Sequence, residues 1–280
     1  MRLRNCVVFI LLLLGLPARG AFALIVINPP VCTDLGPTTC DLTSPGDTAL
    51  IGGVYYVVPT TETDASGTGV IDPFLRLQKQ GSPGVEQAYN TSDAPVNAQF
   101  SETDTAWTSD LTTADLATNV VYIGGVPYYE FVLDINQNSG SGSLLSLDQL
   151  QFFSGPDQAT NATSYQLNTA VNGDETLGAL SAVYTLDTAL KDYSITLEYD
   201  NYAGSGRLDL AVYVPTSLFP GPSVYLYSRF GELEAANDGF EEWARKTTGT
   251  FLVPLPGTLP LLAGGVLALL FTRGRIRPAR

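Results

Sequence analysis

From Tyr193 to Tyr199 apolar and polar side chains alternate without a break, the period-two pattern of a strand that buries one face. Asn201 to Gly206 supplies turn residues. Leu208, Leu210, Val212 and Val214 then share one face, with Arg207, Asp209 and Tyr213 on the other, up to Pro215. The two runs predict an antiparallel hairpin. Beyond Pro220-Gly221-Pro222 the alternation resumes: Val224, Leu226 and Phe230 point one way and Tyr225, Tyr227 and Arg229 the other, which predicts a third consecutive strand. Upstream, residues 119–123 and 126–135 flank Gly124-Gly125, a two-residue connection suited to a primed turn. Further strands are predicted over residues 50–58, 70–77 and 144–153.

Two stretches break the pattern. Residues 60–69 and 101–119 are rich in Thr, Ser, Asp and Ala and poor in large apolar residues, which predicts long surface loops. No stretch before residue 236 sustains a helical period. Asn237-Asp238-Gly239 followed by Phe240-Glu241-Glu242-Trp243-Ala244 predicts a turn and one or two helical turns, with early acids that complement the helix dipole. Many short strands separated by turn chemistry predict an all-β ectodomain over residues 24–250, an antiparallel β-sandwich of jelly-roll or lectin-like kind.

The two ends follow other rules. Arg2 and Arg4, the apolar run Cys6 to Leu16, and Ala21-Phe22-Ala23 form the charged start, short apolar middle and small-residue site of a signal peptide over residues 1–23. Signal peptidase is its expected processing enzyme, with cleavage before Leu24. Residues 251–280 form the other end. Phe251 to Phe271 carries no charge over 21 residues, about 31 Å as a helix at 1.5 Å per residue, enough to cross a hydrocarbon core. Arg273, Arg275, Arg277 and Arg280 follow and hold that side in the cytoplasm. The expected topology is single-pass, with the ectodomain facing away from the cytoplasm. Val253-Pro254-Leu255-Pro256-Gly257 opens the span with two prolines, which block helical hydrogen bonds and leave an extended segment at the membrane face.

Motif, short apolar span and arginine-rich end together resemble the PEP-CTERM sorting signals of Gram-negative bacteria, and more closely their VPLPA-CTERM variant. The resemblance covers about the last 30 residues. It implies processing by exosortase, a membrane-embedded cysteine transpeptidase-like enzyme, which would read Val253, Pro254, Leu255 and Pro256. Leu255 stands at the position of the wider family's glutamate and Gly257 at that of the variant's alanine. It further implies an inner-membrane precursor, then a place at the cell surface or in the matrix, in association with extracellular polysaccharide.

Charge narrows the partners. The chain has 14 basic and 28 acidic residues, and seven of the basic ones lie in residues 1–23 or from Arg273 onward, which leaves 7 − 28 = −21 for the mature part. Such a field repels phosphate backbones, so nucleic acid is excluded as a partner. There is no histidine, which removes the commonest general base and neutral metal ligand. Cys32 and Cys40 remain once the signal leaves, and in an oxidising compartment they are expected to form a disulfide.

Candidate chemistry beyond this is sparse. Asp134, Asn136 and Asn138 place oxygen-bearing side chains at alternate positions, as a calcium loop does. The pattern misses an EF-hand, since glycine comes one residue late and Leu145 stands where the bidentate acid belongs. A polar turn is the preferred reading, and no cofactor is expected. Tyr225 and Tyr227 offer a candidate face for a stacked sugar. No acid pair stands out for glycoside hydrolysis, and no catalytic residue is assigned. The expected function is therefore a structural or adhesive matrix protein rather than an enzyme. A carbohydrate-binding module is the alternative, and a secreted glycoside hydrolase stands behind both.

Overall fold

The computed structural model describes residues 24–25, 28–61, 71–78, 83–90, 102–103, 107–156, 167–168, 176–188, 190–204 and 206–247. The signal segment, the predicted membrane span and the sorting motif lie outside these. Among the described residues no helix is long and apolar enough to cross a membrane.

The fold is all-β. The chain opens with β1 (Leu24–Ile25), β2 (Cys32–Thr33) and β3 (Thr39–Leu42), then a hairpin of β4 (Thr48–Ile51) and β5 (Val54–Val57). Next come β6 (Ile71–Gln78), β7 (Glu86–Tyr89) and β8 (Glu102–Thr103). β9 (Leu111–Thr112) leads into helix α1 (Thr113–Leu116) and a 3-10 turn over Ala117–Asn119. A second hairpin joins β10 (Val120–Ile123) to β11 (Val126–Asp134), and β12 (Leu144–Gly155) follows. The short strands β13 (Leu167–Asn168), β14 (Thr176–Leu177), β15 (Leu180–Ser181) and β16 (Tyr184–Thr185) precede β17 (Ser194–Glu198), β18 (Leu210–Pro215), β19 (Ser223–Phe230) and β20 (Glu241–Lys246).

Among the described residues one sheet runs β2-β4-β5-β18-β11-β20-β6-β8, with β10 paired to β11 and β1 to β10, and a second runs β3-β17-β12-β19-β7, with β9 paired to β19 and β16 to β12. A small third sheet joins β13, β14 and β15. Most pairs are antiparallel, but β1 with β10, β2 with β4 and β3 with β17 are parallel, which the strand pattern alone did not reveal. Both large sheets lend side chains to one apolar core. Phe131 of the first sheet meets Phe152 of the second with ring centroids 4.6 Å apart. The disulfide Cys32–Cys40 joins β2 of the first sheet to β3 of the second, as expected from the two thiols.

The Gly124-Gly125 turn forms as predicted, with φ of 59° and 87°. The run 50–58 is instead split by an equivalent turn at Gly52-Gly53, φ 58° and 81°, so one expected strand is the β4–β5 hairpin. Both turns need positive φ at two successive residues, which glycine adopts without steric cost.

Three expectations are corrected. β17 and β18 do not form a hairpin: β17 pairs with β12 and β3, β18 with β11 and β5. Each buries one face in the shared core from opposite sides, and the last four strands alternate between the two sheets. Leu208 packs with Ala211 and Tyr213 on the far face of the first sheet rather than with Leu210. Residues 241–246 are a strand, not a helical turn, because pairing with both β11 and β6 satisfies their backbone while Trp243 fills the core. Tertiary pairing overrides the local preference. Finally, the stretch 101–119 contains α1, whose Thr112 N-cap and Asp115 exchange hydrogen bonds in a capping box.

Candidate functional site

Along β11 side chains alternate between two environments. Tyr129, Phe131 and Leu133 enter the shared core, while Tyr128, Glu130, Val132 and Asp134 face the other side of the sheet. That second face is also buried, and it carries acids at positions where apolar residues are the rule.

The first group centres on Asp134. Cross-strand register sets it beside Glu242, which in turn stands beside Arg76. Asp134 Oδ2 accepts from the Gly206 backbone N–H at 2.6 Å, and Asp209 Oδ2 accepts from Ile135 N–H at 2.8 Å. Arg76 lies 4.3 Å over the Phe240 ring. Burial pushes the Asp134 carboxyl up to about 7, the Gly206 N–H opposing and Glu242 reinforcing the shift. Burial raises Asp209 well above the carboxylate range, opposed by Ile135 N–H and reinforced by Asp134.

The second group bridges the sheets. Glu86 of β7 and Glu241 of β20 share a side-chain hydrogen bond, and Gln137 Nε2 donates to Glu241 Oε1 at 2.6 Å. Burial first, and then the neighbouring Glu86 carboxyl, hold Glu241 well above its usual range. The third group surrounds Glu130: Tyr213 Oη donates to Oε1 at 3.1 Å and Asn119 Nδ2 to Oε2 at 3.2 Å. Burial and Glu130 keep the Tyr213 phenol protonated, well above its ordinary value.

Burial raises Asp134, Asp209 and Glu241, and the same burial keeps a soluble substrate from reaching these acids. Glu86 is 1% exposed and Glu241 is 0%.

The residues singled out from sequence fare differently. Tyr225 and Tyr227 do lie on the face of β19 opposite the core, yet both are fully buried against Phe153 and Leu177. Tyr227 Oη donates to Gln87 at 2.7 Å and Tyr225 Oη to the Pro156 carbonyl at 3.3 Å. The sugar-stacking face is therefore corrected: packing by the small third sheet closes it. Asp134, Asn136 and Asn138 do not converge. Asp134 serves Gly206, Asn138 donates to Asn237, and Asn136 packs on Gly239. Among the described residues no group of three or more acidic or cysteine side chains is arranged to hold a metal ion. Val253, Pro254, Leu255 and Pro256 lie outside the described residues.

The sequence pattern assigned no site role to Glu86, Glu130, Asp209 or Glu241. A signal for one was present: in Tyr128-Tyr129-Glu130-Phe131-Val132-Leu133 the acid interrupts an otherwise apolar run, the mark of a strand buried on both faces. No protein-family model, no curated protein and no solved structure matches this chain.

Proposed function

We propose that this chain is an exported surface or extracellular-matrix protein, sorted and cut by an exosortase, with a structural or adhesive role in an exopolysaccharide setting. The observation that carries the reading is the tail, where Val-Pro-Leu-Pro opens an uncharged run that four arginines close. The Cys32–Cys40 disulfide supports it, since such bonds persist in oxidising compartments outside the cytoplasm. The domain ahead of the tail is a β-sandwich of jelly-roll or lectin-like kind in this reading, supported by the two sheets that feed one core. Closure of the acid groups from solvent favours a structural over a hydrolytic role. The carbohydrate-binding alternative loses its support at Tyr225 and Tyr227.

The test is the intact mass of the protein recovered from the cell surface. A product ending near Pro256 is expected, and Pro254→Ala with Pro256→Ala should leave a longer product in the inner membrane. A surface protein that retains Arg280 overturns the sorting reading.

A further inference from the structure

We propose that Lys246 and Asn119 are joined by an intramolecular isopeptide bond, with Glu130 as the proton carrier. The strands bring the three groups together. β18 covers Tyr128 to Pro215 register along one edge of β11, Tyr128 through Leu133, so β10 and β20 divide the other edge between them. β10 takes the first half, with Val120 opposite Tyr129. β20 takes the second, with Phe131 opposite Arg245. The junction falls at Glu130. Carried one residue past the last pair on each side, the antiparallel register directs both Asn119 and Lys246 toward that residue.

Contacts and burial agree. Asn119 Nδ2 donates to Glu130 Oε2 at 3.2 Å, and Tyr213 Oη fixes the other oxygen from across the strand. Glu130 is 3% exposed and Lys246 5%. A lysine almost always keeps its amine in water, snorkelling where it must. Here it is enclosed, on the same face of β20 as Ala244, which packs with Val132 and Tyr213.

Burial costs a charged pair its hydration, which favours passing the ammonium proton to Glu130 and leaves a neutral amine as nucleophile. Lys246 Nζ adds to Asn119 Cγ. The Nζ–Cγ bond forms, the Cγ–Nδ2 bond breaks, and a second proton moves from Nζ through the Glu130 carboxyl to Nδ2. Ammonia leaves with the remaining proton as ammonium, and Glu130 returns to its carboxylate. Nothing is oxidised or reduced and no second reactant is consumed. Tyr213 is a positioning residue. The product ties the last strand of the described domain to the 3-10 turn before β10, which resists unravelling from the side where the tail joins.

The test is a peptide map of the purified full chain by mass spectrometry. The expected result is a branched peptide linking the segments that carry Asn119 and Lys246, lighter than their sum by one ammonia. Lys246→Arg and Glu130→Gln should each return only linear peptides. Recovery of unmodified Asn119 and Lys246 in linear peptides of the wild-type protein overturns the proposal, whether or not either variant folds. A branched peptide that persists in Glu130→Gln overturns the role given to Glu130. Both residues precede Val253, so the outcome is independent of sorting.

Discussion

Trp243 of β20 donates its indole Nε1–H to Ser228 Oγ of β19 at 3.0 Å, a hydrogen bond that crosses from one large sheet to the other. Both residues are fully buried. Ser228→Ala leaves the indole N–H without its acceptor in the core, at a cost of about 1–3 kcal/mol. Trp243→Ala removes the ring as well and should cost roughly 3–5 kcal/mol. Urea unfolding should show both as lower midpoints with an unchanged slope. Equal midpoints for wild type and Ser228→Ala would mean that the cross-sheet bond contributes nothing.

The Cys32–Cys40 bond closes a short loop, and its ends sit in different sheets. Cross-linking so few residues limits the unfolded chain by about 2–3 kcal/mol. Melting with and without a thiol reductant should therefore separate clearly, and Cys32→Ser with Cys40→Ser should melt at the reduced temperature under both conditions. Two alkylatable thiols in denatured, unreduced protein would falsify the pairing.

Calcium should do little. Asp134 and Asn138 already have partners within the chain, and the three candidate residues serve different ones. A ligand that does not bind the folded state cannot raise its melting temperature. Millimolar calcium, added and then removed by chelator, should leave the transition in place, and a reversible rise of many degrees would show a site this arrangement does not explain.

Legibility followed the physics of each element. The strands at 194–198 and 223–230 were visible because apolar and polar side chains alternate along them in the sequence. Which strand pairs with which was not, since β17 and β18 obey the same pattern while sitting in different sheets. Glu241-Glu242 looked like the acidic first turn of a helix. In the sheet, Glu241 is accommodated by Glu86 and Gln137, and neither partner is near it in sequence. The tyrosine pair on β19 was placed on the correct face, but alternation cannot tell a solvated face from one covered by a further sheet, here β13 to β15. The disulfide was legible because only two cysteines remain after residue 23.

The buried acids fix the direction of the pH dependence. Burial raises Asp134 from 3.8 to about 7, and it raises Asp209 and Glu241 above their ordinary values as well. A carboxyl whose folded value is raised holds its proton in the native state at a pH where the unfolded chain has already lost it. The native state then binds more protons, so stability is greatest below the unfolded value and falls as pH rises through the folded one. For Asp134 that window runs from about 4 to about 7, and at 1.36 kcal/mol per unit it amounts to roughly 4 kcal/mol if the group acts alone. Asp209 and Glu241 add loss in the same direction, and repulsion among the excess acids grows alongside it. Melting temperature should accordingly be higher at pH 5 than at pH 8. Asp134→Asn keeps an oxygen for the Gly206 N–H but has no charge to bury, so it should melt higher than wild type at pH 8 and flatten the profile between pH 4 and 7. A wild-type profile that rises with pH, or an Asp134→Asn profile parallel to wild type, would show that burial does not raise the Asp134 carboxyl in the fold.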